Sequence, residues 1–419
     1  MKPKYVIVCL LDAAGAKHMS CYGYDRKTTP NIDKVAAEGV IFRKCFSPAD
    51  YTMSGCGSFH TGRYAEHHGA FYLERRLKDD DLTFAETMRR AGYTTAGWSA
   101  NPFANSYMGF DIGFDYYENF PEDMEDKRKR GADDMSELEQ EYHRQITKWL
   151  DEVDDKNAFA YIHFLPPHGD YETPPKFLYT WAKPEYAVPD TTGDTLMAWE
   201  QGKKPYTQND IDYVRDLYDE NMLYADYNVG IVIDQLKQRG MWDDTLFIVT
   251  ADHGEAFMEH GFTLHNTTLY DEMIHIPLIM KLPKGDQPVR KDITAIVELI
   301  DIYPTVADML SVTLPEGSVD GKSLLPLIDG EAIHVKEYTF SRSAHFITPI
   351  LSVRTDKFKY VYNQMTGKRE LYDLESDPLE RIDVIAENQS LADEFQALLE
   401  PALEYYRAEV EKHLAKSNN

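Results

Sequence analysis

Cysteine is scarce in this 419-residue chain: Cys9, Cys21, Cys45 and Cys56 are the only four, all within the first 56 residues. Their spacings match no zinc module and two of them sit in apolar, strand-like runs, so reduced and mostly buried thiols are expected. Positive charge is also short. Lysine and arginine number 44 against 71 acidic residues, a formal net charge of -27. Such a surface repels phosphate backbones and anionic membranes, which argues against a nucleic acid polymer or a membrane as partner. Solubility is the plain reading of the surplus. A small anionic substrate stays compatible with it if a metal offsets the local charge. Long hydrophobic runs are missing as well. The opening "MKPKYVIVCLLDAAG" has a charged start, but its apolar run is short and ends at Asp12. It reads as a first core strand, not as a secretory signal, and a cytoplasmic protein is expected. Neither repeats nor low-complexity tracts occur, and the sequence leaves a homo-oligomer open.

What is present describes a folded protein: 43% hydrophobic residues and 12% aromatic, with 28 tyrosines. The runs "YVIVCLLD" (5–12), "TTAGWSA" (94–100), "AFAYIHFL" (158–165), "TLFIVTAD" (245–252) and "IPLIMKL" (276–282) read as strands. Helical patterns lie between them. "TTPNIDKVAAEG" has Thr29 as cap, Pro30 at the first helical position and Gly39 at the close. "LTFAETMRRAG", "DMSELEQEYHRQITKWLDEV" and a long amphipathic stretch from Gln208 to Gly240 follow the same logic. Alternating strands and helices predict an α/β fold with a mostly parallel central sheet flanked by helices. The texture changes near residue 335, which divides the chain into a catalytic domain at 1–335 and a small C-terminal α+β subdomain at 336–419. The latter pairs an antiparallel meander with a charged terminal helix. Segment 183–207, rich in Pro, Gly and Thr, is expected to be a long insertion loop that shapes specificity.

Ligands in open α/β sheets bind beyond the carboxyl ends of the strands. Asp12 ends the first strand, and Asp252-His253-Gly254 ends "TLFIVTADHG". Asp12 alone reads equally well as a helix cap. A carboxylate followed by an imidazole at a second strand end is a sharper signal, since both are ordinary ligands of divalent ions. His168, in "FLPPHGDY", follows another strand end, and His260 and His265 lie in "EHGFTLHNTTLYDE". His67 and His68, in "AEHHG", are read as structural. Asn101, in "SANPF", reads equally as a turn residue before Pro102 or as a donor to substrate oxygens.

The ordered segments "CYGYDRKTTPNIDKVAAEGVIFRKCFSPA", "TGRYAEHHG", "GFDIGFDYYENF", "TLFIVTADHGEAFMEHG", "TLYDEMIHIPLIM", "LIDIYPTVADML", "DGKSLLPLIDG" and "RELYDLESDPLE" resemble the sulfatase family of the alkaline phosphatase superfamily. The resemblance covers nearly the whole chain. It implies an α/β fold with a small C-terminal antiparallel sheet and a single divalent ion (Mn, Zn, Ca or Mg). The implied ligands are Asp12, Asp252, His253 and the nucleophile. Sulfatases usually carry a second aspartate where this chain has Ala13. Their C-x-P-S-R motif, whose Cys or Ser becomes formylglycine, aligns back from "TGRY" so that Cys falls on Thr52, Pro on Ser54 and Arg on Cys56. A lysine-tryptophan-histidine motif expected near "AGYTTAGWSANPF" is missing too.

Threonine carries a secondary alcohol and cannot yield the formylglycine aldehyde. Threonine nucleophiles do occur in similar phosphodiesterases and phosphonate hydrolases of the superfamily, where a metal makes the hydroxyl available for attack. The resemblance therefore implies a metal-dependent hydrolase of phosphodiesters or phosphonate monoesters, with Thr52 as nucleophile and metal ligand. His168 and His265 would act as substrate-facing catalytic groups, and Asn101 as a substrate-binding donor. One rival is a sulfatase working without formylglycine on a small anionic ester. Another is a catalytically silent binding protein of the same fold.

Overall fold

The structure, a computed structural model, describes residues 2–71, 76–78, 81–119, 140–186, 190–266, 268–285, 288–343 and 349–417. Its strands are β1 (Tyr5–Leu11), β2 (Val40–Phe46), β3 (Thr94–Ser99), β4 (Tyr116–Asn119), β5 (Ala158–Phe164), β6 (Thr245–Ala251), β7 (Ala256–Phe257), β8 (Thr263–Leu264), β9 (His275–Lys281), β10 (Asp292–Glu298), β11 (Thr339–Arg342), β12 (Ile350–Arg354), β13 (Phe358–Asn363) and β14 (Arg369–Asp373). Eight of them form one sheet in the order β10-β2-β9-β6-β1-β5-β3-β4. Only β9 runs antiparallel to its neighbours, so the sheet is mixed and mostly parallel. β1 and β5 read as continuous apolar runs and are buried along their whole length, so the sheet is covered on both faces there.

The five expected strands are all present, but β2, β4 and β10 were not legible as such. In β2 the apolar run is broken by Arg43 and Lys44, which lie where the pairing with β9 shifts register between Phe42 and Cys45. That irregularity leaves both charged side chains half-buried while their neighbours are buried. Helix α1 (Pro30–Glu38) follows Thr29, yet the Thr29 side chain does not cap it. Asp226, on the long helix Gln208–Gln238, does so instead and accepts from the amides of Asn31 at 2.9 Å and Ile32 at 2.8 Å. Of the expected helix at 134–153, residues 140–152 are helical and the earlier part lies outside the described residues.

The 183–207 segment also departs from expectation. Part of it, residues 187–189, lies outside the described residues, but Gly193–Glu200 is a helix rather than a loop. Thr195, Leu196 and Trp199 bury one face of it, a periodicity hidden by the surrounding Pro, Gly and Thr. Its last residue holds β8: Glu200 Oε2 accepts from the Thr263 amide at 3.2 Å.

Strands β11 to β14 form a separate antiparallel sheet, packed by the helix Gln389–Ser417. Its core, with Leu351, Val353, Tyr360, Phe395 and Leu403, also takes in Ala65 and Phe71 from the N-terminal part of the chain. Among the described residues, no helix is long and apolar enough to cross a membrane.

Candidate active site

Asp12, Asn101, His168 and Asp252-His253 follow the ends of β1, β3, β5 and β6, whereas Thr52 starts a helix. Leu11 pairs with Phe164 on one side and with Ala251 on the other, so Asp12 and Asp252 leave the sheet side by side. Both are fully buried. Asp12 Oδ2 accepts from Asn101 Nδ2 at 2.5 Å and lies 3.0 Å from His163 Nε2. Its other oxygen is 3.5 Å from Thr52 Oγ1 and 3.7 Å from His253 Nε2. Asp252 Oδ1 accepts from the amides of Ala13 (3.1 Å) and His253 (2.9 Å), while Oδ2 lies 3.5 Å from His253 Nε2. Ala13 reaches this position with a positive φ of 60°, a strained conformation for a residue with a Cβ. Ala13 thus supplies a backbone donor at this position.

Thr52 begins helix α2 (Thr52–Thr61), which Gly62 closes in the left-handed conformation. The turn before it is pinned from two directions. Ser47 Oγ bonds the Asp252 carbonyl, while the Arg342 amide donates to Pro48 O at 2.9 Å and Ser341 Oγ to Ser47 O at 2.7 Å. The small residues of "SGCGS" reflect close approach: a Cβ on Gly55 would stand 2.6 Å from the Asp252 carbonyl oxygen. Thr52 Oγ1 consequently lies 3.2 Å from His253 Nε2 and 3.3 Å from Asn101 Nδ2. One turn on, Cys56 Sγ is buried 4.0 Å from Asp252 Oδ2 and 3.6 Å from Tyr161 Oη.

The histidines divide. His265 packs its ring 4.4 Å from that of His253 and 4.8 Å from that of His168, so both expected substrate-facing histidines adjoin the site. His260 is elsewhere, 2.6 Å from Glu272 Oε1 and stacked on Tyr270. His67 bonds Asp320, and His68 lies between Ser58 and Ala70. Two neighbours were missed in the sequence. His163 was taken for part of a core strand, although a polar residue one position from the end of an apolar run was a signal. Glu255, buried just past Asp252-His253-Gly254, lies 3.0 Å from His265 Nδ1.

Burial alone would raise the Asp12 carboxyl, but nearby His168 and the hydrogen bond with His163 outweigh it and hold Asp12 below the usual carboxylate range. Burial keeps His253 and His265 neutral, lowering His265 to about 3, and pushes Glu255 up to about 7. The Cys56 thiol is driven well up by burial, with the charges of Asp252 and Asp12 adding to it. His253 Nδ1 faces Gly254 O at 2.9 Å and must carry the proton there, leaving the Nε2 lone pair toward the carboxylates. Ligand atoms of Asp12, Asp252 and His253 lie within 4.8 Å of one another. Among the described residues, neither aspartate forms an ion pair with a lysine or arginine. Two buried carboxylates, a neutral imidazole and no basic partner fit a divalent cation.

The family model described as Sulfatase matches residues 4–312, and one described as N-sulphoglucosamine sulphohydrolase, C-terminal, matches residues 258–409. An N-acetylglucosamine-6-O-sulfatase of Bacteroides thetaiotaomicron is 25% identical, over 96% of this chain and 86% of its own length. A choline-sulfatase of Rhizobium meliloti is 26% identical, over 92% of this chain and 83% of its own length. Among solved structures, a phosphonate monoester hydrolase of Agrobacterium radiobacter superposes with a TM-score of 0.76 at 22% identity. That superposition covers 97% of this chain and 96% of the other.

Proposed function

Since this chain belongs to the sulfatase family of ester hydrolases, we propose that it is a metal-dependent hydrolase whose nucleophile is the unmodified Thr52 hydroxyl, acting on phosphodiesters or phosphonate monoesters. The observation that carries this reading is Thr52 Oγ1 at the helix start, 3.2 Å from His253 Nε2 and 3.5 Å from Asp12 Oδ1. Asp12, Asp252, His253 and Thr52 would hold a divalent ion, which would supply a lowered pKa for the hydroxyl and an offset for charge on the transferred group.

Thr52 Oγ1 loses its proton and bonds to phosphorus, the bond from phosphorus to the leaving oxygen breaks, and the leaving alcohol takes up a proton. Water then attacks the phosphorus, the Oγ1–P bond breaks, and Thr52 regains its proton. Transfer to an alcohol in place of water shares the first half. Asn101 Nδ2 lies 3.3 Å from the attacking oxygen and donates to the non-bridging oxygens. His168 Nδ1 bonds the Gly169 carbonyl and His265 Nδ1 faces Glu255, which leaves Nε2 of each ring for the substrate. His265 is neutral, so it serves as a donor of hydrogen bonds or as a base, and His168 is the group assigned to protonate the leaving oxygen.

Sulfate esters are the second reading, favoured by the printed names of the relatives and by both family models. It needs Thr52 to act without the aldehyde. Matched aryl sulfate, phosphodiester and phosphonate monoester substrates separate the two. Thr52→Ala should abolish turnover of the preferred ester and leave the fold intact. Rapid acid quench of the wild type should trap a phosphate adduct on Thr52, detectable by peptide mass. Undiminished turnover by the alanine variant would sink the mechanism.

A further inference from the structure

A second metal-fitting set also includes Asp252: ligand atoms of Cys56, His163 and Asp252 fall within 4.8 Å of one another, and all three residues are fully buried. The two sets meet only at Asp252. We propose that Cys56, His163 and Asp252 bind a second divalent ion, of the thiolate-accepting class represented by Zn2+, with Asp252 shared between the two ions.

The donor types support this choice. Sulfur, imidazole nitrogen and carboxylate oxygen are the ligands that zinc takes, and hard ions such as Mg2+ and Ca2+ avoid thiolate. The residues are held without help from an ion. Cys56 is in the second turn of α2, which Gly55 brings against the end of β6, and His163 sits one residue from the end of β5. Cys56 Sγ is 4.0 Å from Asp252 Oδ2, a separation that closes by a few tenths of an ångström around a common ion. Asp252 Oδ1 is occupied by two backbone amides, so Oδ2, 3.5 Å from His253 Nε2 and 4.0 Å from Cys56 Sγ, is the oxygen that both sets share. Ions sharing one carboxylate stand about 3.5–4 Å apart, as in two-metal hydrolases.

A reason for such a site is also visible. His163 Nε2 is 3.0 Å from Asp12 Oδ2, so an ion on His163 would fix Asp12 as well as Asp252. Metal-bound histidines commonly donate their other ring proton to an oxygen partner, and here Nδ1 lies 3.4 Å from Ser99 Oγ, which would orient the ring with Nε2 toward the ion. The second ion is therefore a positioning element for the first set. Its three ligands are fully buried.

The test uses the full chain stripped with chelator and reloaded with Zn2+ or Co2+. Native mass spectrometry should count two ions per chain, and the cobalt form should show a thiolate-to-cobalt charge-transfer band. Cys56→Ser should remove that band and weaken the second equivalent about tenfold or more. His163→Gln should weaken the same equivalent, which guards against a folding defect peculiar to the serine variant; circular dichroism checks both. A wild-type chain that binds one ion and shows no thiolate band overturns the proposal. So does a folded Cys56→Ser chain that still binds two ions with unchanged affinity. The outcome is separable from the nucleophile reading, because the band reports on Cys56 and turnover by Thr52→Ala reports on Thr52.

Discussion

Two of the clusters of buried charge among the described residues are balanced differently. Where the C-terminal sheet meets the main body, Lys359 and Glu380 are buried and 2.7 Å apart. Asp271, from the main body, takes Arg354 at 2.6 Å and Lys359 at 2.9 Å, and its amide donates to Glu380 at 2.7 Å. Two acids face two bases. At the strand ends Asp12 and Asp252 are equally buried, but their neighbours are imidazoles, a thiol and amide donors. Protein charge is satisfied by protein at the junction, whereas the active site holds acid that awaits a cation. Burial of charge is costly in either place, so only the second arrangement asks for a ligand.

Removing one partner should expose that contrast most strongly at the junction. Lys359→Met leaves Asp271 with Arg354 alone and Glu380 with no cation among these four residues. It should cost about 3–5 kcal/mol in denaturant unfolding, the range for breaking a buried pair. The corresponding change at the site is Asp252→Asn, whose carbonyl oxygen can still accept from the Ala13 and His253 amides. In metal-free protein this variant should be no less stable than wild type, because it discards an uncompensated charge. A loss as large as that of Lys359→Met would show that Asp252 is balanced from within.

Metal is the next lever. Adding Zn2+ or Mn2+ at about a hundred times its dissociation constant should stabilise the wild type by about 2.7 kcal/mol per ion bound. Chelation should reverse the gain. Asp252→Asn should show little of it, and Lys359→Met should keep it in full. Equal stabilisation of all three chains would place the ion away from the strand ends.

Much of this contrast could be read in the sequence on one side and little on the other. Asp12 and Asp252-His253 were visible because short apolar runs ended on them, and the sheet's register carries strand ends to one edge. Thr52 was visible through its distance from "TGRY". His163 was not, because strand periodicity assigned it to the core and nothing local pairs it with Cys56, a helix residue far away in the chain. The junction cluster was equally hidden: Asp271, Arg354, Lys359 and Glu380 lie on separate elements, and charges without a periodic pattern read as surface. The strand β2 was lost to Arg43 and Lys44 in its bulge, and the helix Gly193–Glu200 to the turn-forming residues around it.

A buried histidine near neither charge cluster sharpens the same contrast by titration. His68 Nδ1 accepts from the Ala70 amide at 3.0 Å, so its Nε2 proton must point to Ser58 Oγ, 3.2 Å away. Only the neutral ring satisfies both bonds, and burial lowers the group from the ordinary 6.5 to about 3. Between those values the unfolded chain binds a proton that the folded chain refuses, so stability is lost as the pH falls. The loss for this one residue between pH 7.5 and 5.5 is about 1.4 kcal/mol. His68→Gln keeps an acceptor and a donor but cannot titrate. Its stability deficit relative to wild type should therefore shrink by about that amount across the same interval. The Lys359→Met deficit should not shrink in step, since the groups it disturbs are a salt-bridged set rather than a neutral ring. A His68→Gln deficit that stays constant with pH would mean that His68 takes up its proton as readily in the folded protein as in the unfolded chain, and that burial beside α2 does not hold the ring neutral.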